Sequence, residues 1–292
     1  MGSMKDREEI AEALAKSGYI ADTELATAIS LMQRLRRPLL LEGEAGVGKT
    51  EVAKALSSVH ATDLIRLQCY EGLDQSSALY EWNYQRQLLA IQAHRADADS
   101  IEDRIFSEKY LLERPLLAAI RRDRPPVLLI DEIDRADDEF EAFLLELLSD
   151  FQVSIPELGT IKAASIPHVV LTSNGTRELS DALRRRCLYH YVDYPDVERE
   201  ARIIMARIDG AGASLSLQIA RMVEGIRKEE LRKVPGVAET LDWAAALVGF
   251  DVRDLHDARE IVHETLMCLV KTQEDKVRIT RQVADRILGK IA

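Results

Sequence analysis

Gly43-Glu44-Ala45-Gly46-Val47-Gly48-Lys49-Thr50 is the stretch that decides the fold. It fits G-x-x-x-x-G-K-[ST] in the context that gives the pattern meaning. Pro38-Leu39-Leu40-Leu41 ahead of it is a short apolar run of strand type, and Lys49 to Val59 behind it carries helical periodicity. Glycines at such a bend let successive backbone N–H groups curl around phosphate oxygens, where a side chain would obstruct them. The helix that follows adds its own N–H groups and the positive end of its dipole. In this arrangement Lys49 bridges β- and γ-phosphates and the Thr50 hydroxyl ligates Mg²⁺. Gly43, Glu44, Ala45, Gly46, Val47, Gly48, Lys49 and Thr50, with Glu51 beside them, are therefore the expected cofactor-binding residues, and ATP and Mg²⁺ the expected cofactors. A glycine turn that happens to precede a lysine is the structural alternative, and nothing structural demands Lys followed by Thr at that point.

Outward from the loop, runs at Leu64 to Cys69, Val127 to Ile130, Val169 to Thr172 and Leu188 to Val192 predict four more strands, with helical segments between most of them. Alternation of this kind predicts an α/β core around a five-stranded, largely parallel sheet. Upstream, Lys5 to Lys16 and Asp22 to Arg36 read as two helices parted by Ser17-Gly18-Tyr19. Met1-Gly2-Ser3-Met4 reads as an added leader ahead of a natural start. Residues Glu71 to Arg124 exceed what one crossover helix needs, so something is inserted there. After Pro195 the strand signals stop. Helical spacing at Val197 to Ile208, Leu217 to Lys228, Ala238 to Gly249, Leu255 to Val270 and Arg281 to Ile291 predicts a smaller all-α domain. The expected domains are residues 5–194 and 195–292.

Val127-Leu-Leu-Ile-Asp131-Glu132 is a buried-type strand that delivers two carboxylates at its end, where parallel sheets gather their ligands. The chemistry fits a division of labour. Asp131 holds Mg²⁺ through its water shell, and Glu132 polarises a water for in-line attack on the γ-phosphate. Asp134, Asp137 and Asp138 follow closely and read as acidic side chains favoured at a helix N-terminus.

Composition narrows the class. The 292 residues are 47% hydrophobic and 30% charged, which argues against a disordered or fibrous chain. A formal charge of −11 is a poor match to a polyanion, so nucleic acid is not the expected partner. Cys69, Cys187 and Cys268 form no CxxC pair, and an odd count suits a reducing compartment. No apolar run reaches membrane-helix length. A soluble cytoplasmic protein is expected.

With both motifs in place, the chain resembles the AAA+ ATPases. That resemblance implies further parts. His168-Val-Val-Leu-Thr-Ser-Asn174 looks like the strand ending in the polar sensor-1 residue, so Asn174 would orient the attacking water; Asn174 before Gly175 also suits simple turn punctuation. Asp181-Ala-Leu-Arg-Arg-Arg-Cys187 resembles the arginine-finger segment, with Arg186 in the matching position among Arg184, Arg185 and Arg186. A finger reaching a neighbouring subunit makes activity depend on an oligomer. Gly18-Tyr19-Ile20 resembles the segment that lines the adenine site, and packing between the first two helices suits it nearly as well.

Two insertions sharpen the resemblance to the MoxR family of AAA+ ATPases. The excess within about 71–124, containing Ala78-Leu-Tyr-Glu-Trp-Asn-Tyr84, looks like the helix-2 insert. The segment at about 151–163 looks like the pre-sensor-1 hairpin, with Glu157-Leu158-Gly159 as its turn. The helices after the core look like the family's lid. Gln68-Cys-Tyr-Glu-Gly-Leu-Asp74, Tyr80-Glu-Trp-Asn-Tyr84 and Val237-Ala-Glu-Thr-Leu-Asp-Trp243 look like the branch linked to maturation of carbon monoxide dehydrogenase. The resemblance implies a homo-oligomer, a hexamer by family habit, that remodels a protein client such as a metalloenzyme, with a von Willebrand factor A protein as a partner. One departure stands out: Glu239 lies where relatives often carry a sensor-2 arginine, with Arg232 or Lys233 as the available substitutes. Tyr80, Trp82 and Tyr84 either grip a client or pack the insert onto its own core. Two other functions remain in view: a DNA-acting motor of helicase or loader type, and a nucleotide-gated binding module with little turnover.

Overall fold

The computed structural model describes residues 4–93 and 105–291; the part of the expected insert at 94–104 lies outside the described residues. Five strands form one sheet: β1 Leu39–Glu42, β2 Leu64–Gln68, β5 Val127–Asp131, β8 His168–Ser173 and β9 Leu188–Tyr191. Their order across the sheet is β2-β5-β8-β1-β9, and every neighbouring pair is parallel. Two short antiparallel ribbons accompany it, β3 Tyr80–Trp82 with β4 Leu111–Glu113, and β6 Gln152–Ile155 with β7 Gly159–Lys162. The first belongs to the insert and the second is the expected hairpin. Its turn sits at Pro156 to Leu158, because Gly159 at φ +77° already stands opposite Ile155.

The apolar runs become strands because both faces of the sheet are covered. β5 is buried along its whole length, and Leu39, Leu40 and Leu41 of β1 are fully buried. Leu128, Ile130, Val169 and Leu171 share a core with Leu116, Leu117 and Ile120 of the helix Pro115–Ile120, and with Phe140, Leu144 and Leu147 of the helix Asp138–Asp150. That second helix starts where it does because Asp137 accepts the Phe140 N–H at 2.8 Å. Trp82 belongs to the same core, 5% exposed and edge-on to Phe106 at 5.4 Å, whereas Tyr84 is 62% exposed. Packing the insert onto its own core is thus what Trp82 does.

Contacts divide the chain into two compact units. One gathers residues up to Ile10, Thr23–Glu42 and Val52–Tyr191; the other gathers Ala11–Asp22, Gly43–Glu51 and the chain from Val192 onward. The second unit has its own core of helices, with Trp243 fully buried among Ile219, Leu247, Ile204 and Leu255. Its indole N–H donates to the Thr265 hydroxyl at 2.8 Å, satisfying the polar handle of a buried tryptophan. No helix among the described residues is long and apolar enough to cross a membrane.

Candidate nucleotide site

In the helical unit, the loop Gly43–Thr50 has the backbone that its glycines were read to provide. Gly46 and Gly48 hold φ of +80° and +97°, conformations that side chains rarely adopt. A Cβ on Gly43 would stand 2.3 Å from the Val192 carbonyl oxygen, so no larger residue fits there. Lys49 is buried, and its ammonium donates to the carbonyls of Gly43 and Glu44 at 2.7 Å each, which draws the loop into a closed turn. Thr50 sits in the first turn of the helix Lys49–His60.

The same unit contributes a cleft beside this loop, lined by Tyr19, Ile20, Val47, Gly48, Val237 and Leu241 among others. Its lining is mostly apolar, as a purine base requires. Tyr19 packs near Gly48. Burial, opposed by Arg199 and reinforced by Asp22 and Glu51, pushes the Tyr19 phenol up to about 12, so it stays neutral. Ile20 offers its carbonyl to Arg199 Nε at 3.1 Å, and Glu51 pairs with Arg207 at 3.2 Å. The structure thus gathers Tyr19, Ile20, Val47, Gly48 and Glu51 around one cleft.

Glu239 caps a helix. Its carboxylate accepts the Gly236 N–H at 2.9 Å at the start of the helix Val237–Gly249, and the Val237 N–H donates to the Gly46 carbonyl at 2.8 Å. Gly236 lies so close to Gly46 that a Cβ on it would come within 2.8 Å of the loop backbone. Arg232 pairs with Glu274 at 3.3 Å, and the Arg232 and Lys233 N–H groups bind the buried Asp275 carboxylate at 2.7 and 3.1 Å.

In the sheet unit, the C-terminal ends of β2, β5, β8, β1 and β9 lie level, since Gln68 pairs with Asp131 and Glu42 with both Ser173 and Tyr191. Strand order reverses about β1, the feature that marks ligand sites in open α/β sheets. Asp131 is 2% exposed. Its Oδ1 accepts the Thr172 hydroxyl at 2.5 Å, and its Oδ2 accepts Arg66 Nε at 3.0 Å and Nη2 at 2.5 Å. Glu132 follows in a left-handed conformation, φ +56° and ψ 50°, rare for a residue with a side chain. Its N–H donates to the Thr172 hydroxyl at 2.9 Å, and its carboxylate meets Arg135 at 3.2 Å.

Asp134 was read from the sequence as a helix-start acid. That role falls to Asp137 instead. Asp134 is 3% exposed and binds the loop after β8: it accepts the Asn174 N–H at 3.2 Å, the Thr176 N–H at 3.0 Å and the Thr176 hydroxyl at 2.6 Å. Burial works to raise its carboxyl, but the bonds from Thr176 and Asn174 outweigh it and hold it below its ordinary value. Asn174 is thereby anchored to the acidic turn. Cys69 lies close by; burial and the charges of Asp131, Asp134 and Glu132 push its thiol up to about 12, so it is no nucleophile near neutral pH.

The three arginines separate. Arg184 is tied to Glu42 at 3.0 Å. Arg185 and Arg186 are exposed, and their side chains make no ion pair among the described residues. The helix Asp181–Arg186 that carries them is closed by Arg37, which donates to the carbonyls of Arg185 at 2.5 Å and Arg186 at 3.1 Å. Arg66 and Thr172 escaped the sequence reading, as did the bonds that Arg37 and Asp134 make. Only Thr172 left a signal, a hydroxyl directly after the apolar run Val169 to Leu171.

The donor sets fit a magnesium nucleotide. A buried carboxylate and a hydroxyl in a helix's first turn are hard oxygen donors of the kind Mg²⁺ takes. Backbone N–H groups in a glycine-rich turn beside a buried lysine suit a triphosphate.

A parallel sheet whose first strand runs straight into a phosphate-type glycine loop is the plan of a nucleotide-binding α/β protein. The sequence profile of the AAA domain, dynein-related subfamily, matches residues 38–187, and the chain belongs to that family as an ATPase. Uncharacterized proteins of Staphylococcus aureus (strain bovine RF122 / ET3-1) and Staphylococcus haemolyticus are 27% and 26% identical to it. They match over 83% and 90% of this chain and 86% and 95% of their own. Among solved structures, the RuvB Holliday junction branch migration motor of Thermotoga maritima is 19% identical with a TM-score of 0.45, over 87% of this chain and 68% of that one. A candidate ATPase of Cytophaga hutchinsonii is 16% identical with a TM-score of 0.47, over 99% of this chain and 96% of that one. Likeness at this level says nothing of what the present chain acts on.

Proposed function

We propose that this chain is a Mg²⁺-dependent, MoxR-type ATPase that works as a closed ring, hexameric by family habit, and couples hydrolysis to remodelling of a partner protein. Gly43 to Glu51 hold the triphosphate, with Lys49 on the β- and γ-phosphates, and Tyr19 and Ile20 flank the base. Thr50 and Asp131 would hold Mg²⁺, which would supply neutralisation of phosphate charge. Glu132 takes the proton of the attacking water, and Asn174 orients that water. Arg186 stabilises the charge that spreads over the transferred group in the neighbouring subunit. Residues 5–194 are the core and 195–292 the lid in this reading.

The observation that carries the ring is the separation of the arginines: Arg184 is consumed by Glu42, while Arg185 and Arg186 stand exposed at a helix end that Arg37 stiffens. A guanidinium placed so, with no partner of its own among the described residues, suits a γ-phosphate outside the chain. The test is complementation. Glu132→Gln and Arg186→Ala are each inactive alone, and mixing them restores part of the turnover, because some interfaces then pair an intact base with an intact finger. Full activity of Arg186→Ala alone transfers the role to Arg185, and mixtures that stay inactive remove the finger.

The client proposed is a metalloenzyme awaiting its metal or cofactor, as in the carbon monoxide dehydrogenase branch, with a von Willebrand factor A protein alongside. The runs Gln68 to Asp74, Tyr80 to Tyr84 and Val237 to Trp243 support that assignment. Pull-down with the ATP-loaded Glu132→Gln form should recover such a pair. Salt-sensitive DNA binding with DNA-stimulated turnover would replace this client by nucleic acid.

A further inference from the structure

Thr172 is a hydroxyl where the strand pattern asks for none. It follows Val169, Val170 and Leu171 in β8, it is 1% exposed, and a buried hydroxyl is costly unless its bonds are made. Both kinds of bond are made, and both go to the acidic pair. A hydroxyl has one proton to give and lone pairs to accept with. Thr172 gives its proton to Asp131 Oδ1 at 2.5 Å and accepts the Glu132 N–H at 2.9 Å. The parallel ladder between β5 and β8 ends at Ile130 opposite Leu171, so the Glu132 N–H lies beyond it, and the Thr172 side chain takes over where the ladder stops. At that point the backbone turns left-handed, at Glu132 φ +56°. One oxygen thus fixes the rotation of one carboxylate and the backbone conformation of the residue bearing the other.

We propose that Thr172 is a positioning residue for hydrolysis: it sets the metal-facing orientation of Asp131 and the backbone turn that aims Glu132. This rests on the assignment of Asp131 and Glu132 as metal holder and base. Asp131 keeps Oδ2 for Arg66, so the Thr172 bond fixes the carboxylate plane while the other oxygen's partner remains half-exposed at 52%. The Ser173 hydroxyl next in the strand turns elsewhere and accepts the Gly175 N–H at 3.0 Å, and the Asn174 N–H goes to Asp134 at 3.2 Å.

Thr172→Val keeps shape and strand propensity and removes the hydroxyl; Thr172→Ser keeps the hydroxyl and removes a methyl group. Two readouts separate positioning from packing. The first is turnover, split into kcat and KM. The second is the affinity for Mn²⁺ of the protein saturated with β,γ-methylene-ATP, followed by the loss of the free Mn²⁺ resonance, and it needs no catalysis. Loss of a bond that orients a metal-holding group typically costs about 10–100-fold in affinity or activity. Thr172→Val should lose about that much in kcat and weaken Mn²⁺ by about tenfold, with KM for ATP changed less than about threefold. Thr172→Ser should stay within about threefold of the parent in both. If Thr172→Val loses its native circular dichroism, Thr172→Ala is read by the same measurements with the same expectations. Thr172→Val equal to the parent in kcat and Mn²⁺ affinity, while Glu132→Gln abolishes turnover, overturns the role of Thr172 and leaves the base assignment standing. Normal turnover in Glu132→Gln overturns the assignment on which the proposal rests. A Thr172→Ser variant as impaired as Thr172→Val also overturns it, since the hydroxyl is then not what matters.

Discussion

Two buried carboxylates in this chain each hold an arginine and a threonine, and the proposed mechanism gives them different ends. Glu200 in the helical unit is 1% exposed; Arg227 donates to both its oxygens at 2.7 Å, and the Thr240 hydroxyl adds a third bond at 2.7 Å. Arg227 is itself only 9% exposed, lies over the Tyr194 ring at 4.6 Å and gives its Nε to the Pro235 carbonyl. Asp131 in the sheet unit has Thr172 on one oxygen and Arg66 on the other, but the Arg66 side chain is half in water. A fork-to-fork pair sealed on every side is committed to holding helices together. A carboxylate whose cation can swing into solvent stays available to a different cation. Both acids are buried, and what differs is the exposure of the arginine partner, 9% for Arg227 and 52% for Arg66.

The strongest way to break this contrast is to remove each acid's support and ask what is lost. Arg227→Met should destabilise the fold by about 3–5 kcal/mol, because it strands a buried charge. Urea titration followed by circular dichroism checks it, and a loss under about 1 kcal/mol would erase the distinction. Glu132→Gln should do the reverse. Its turnover should fall at least about a hundredfold, as loss of a general base does, which phosphate-release assays check. Its urea midpoint should hold within about 0.5 kcal/mol of stability. The threonines sharpen the comparison at a smaller scale. Thr240→Val should cost about 1–3 kcal/mol with per-molecule turnover unchanged, since it removes a bond to a buried charge whose task is packing. Thr172→Val should show its deficit in turnover and metal affinity.

The parts of this contrast that were legible in the sequence are those written in consecutive residues. Gly43 to Thr50 and Val127 to Glu132 each combine strand, turn and chemistry within a few positions, so periodicity and residue type suffice. The turn of the hairpin was nearly placed, because Gly159 advertises its positive φ. Partners were not legible. Arg66 reaches Asp131 only because β2 and β5 pair with Gln68 opposite Asp131, a register between distant segments that no local pattern records. Asp134 looked like one more acid before a helix. Its bonds to the Asn174 and Thr176 N–H groups exist only once β8 lies beside β5. Gly236 carries a glycine for a reason that sequence hides entirely: its neighbour across the contact is Gly46.

The smallest effect is the most discriminating. Arg66→Met removes the only half-exposed member of the two dressed pairs, and water can reach the place its guanidinium leaves, so the cost should stay within about 1 kcal/mol, far below that of Arg227→Met. The sign of its effect on metal binding follows from charge alone. A guanidinium within 3.0 Å of Asp131 Oδ2 repels any second cation near that oxygen, and a neutral thioether does not. Mn²⁺ affinity of the nucleotide complex should therefore hold or rise in Arg66→Met, although an ion pair has been lost. A tenfold fall would mean that Arg66 supports the metal site instead of yielding to it. Asp131 would then resemble Glu200, a sealed acid whose arginine is part of the architecture.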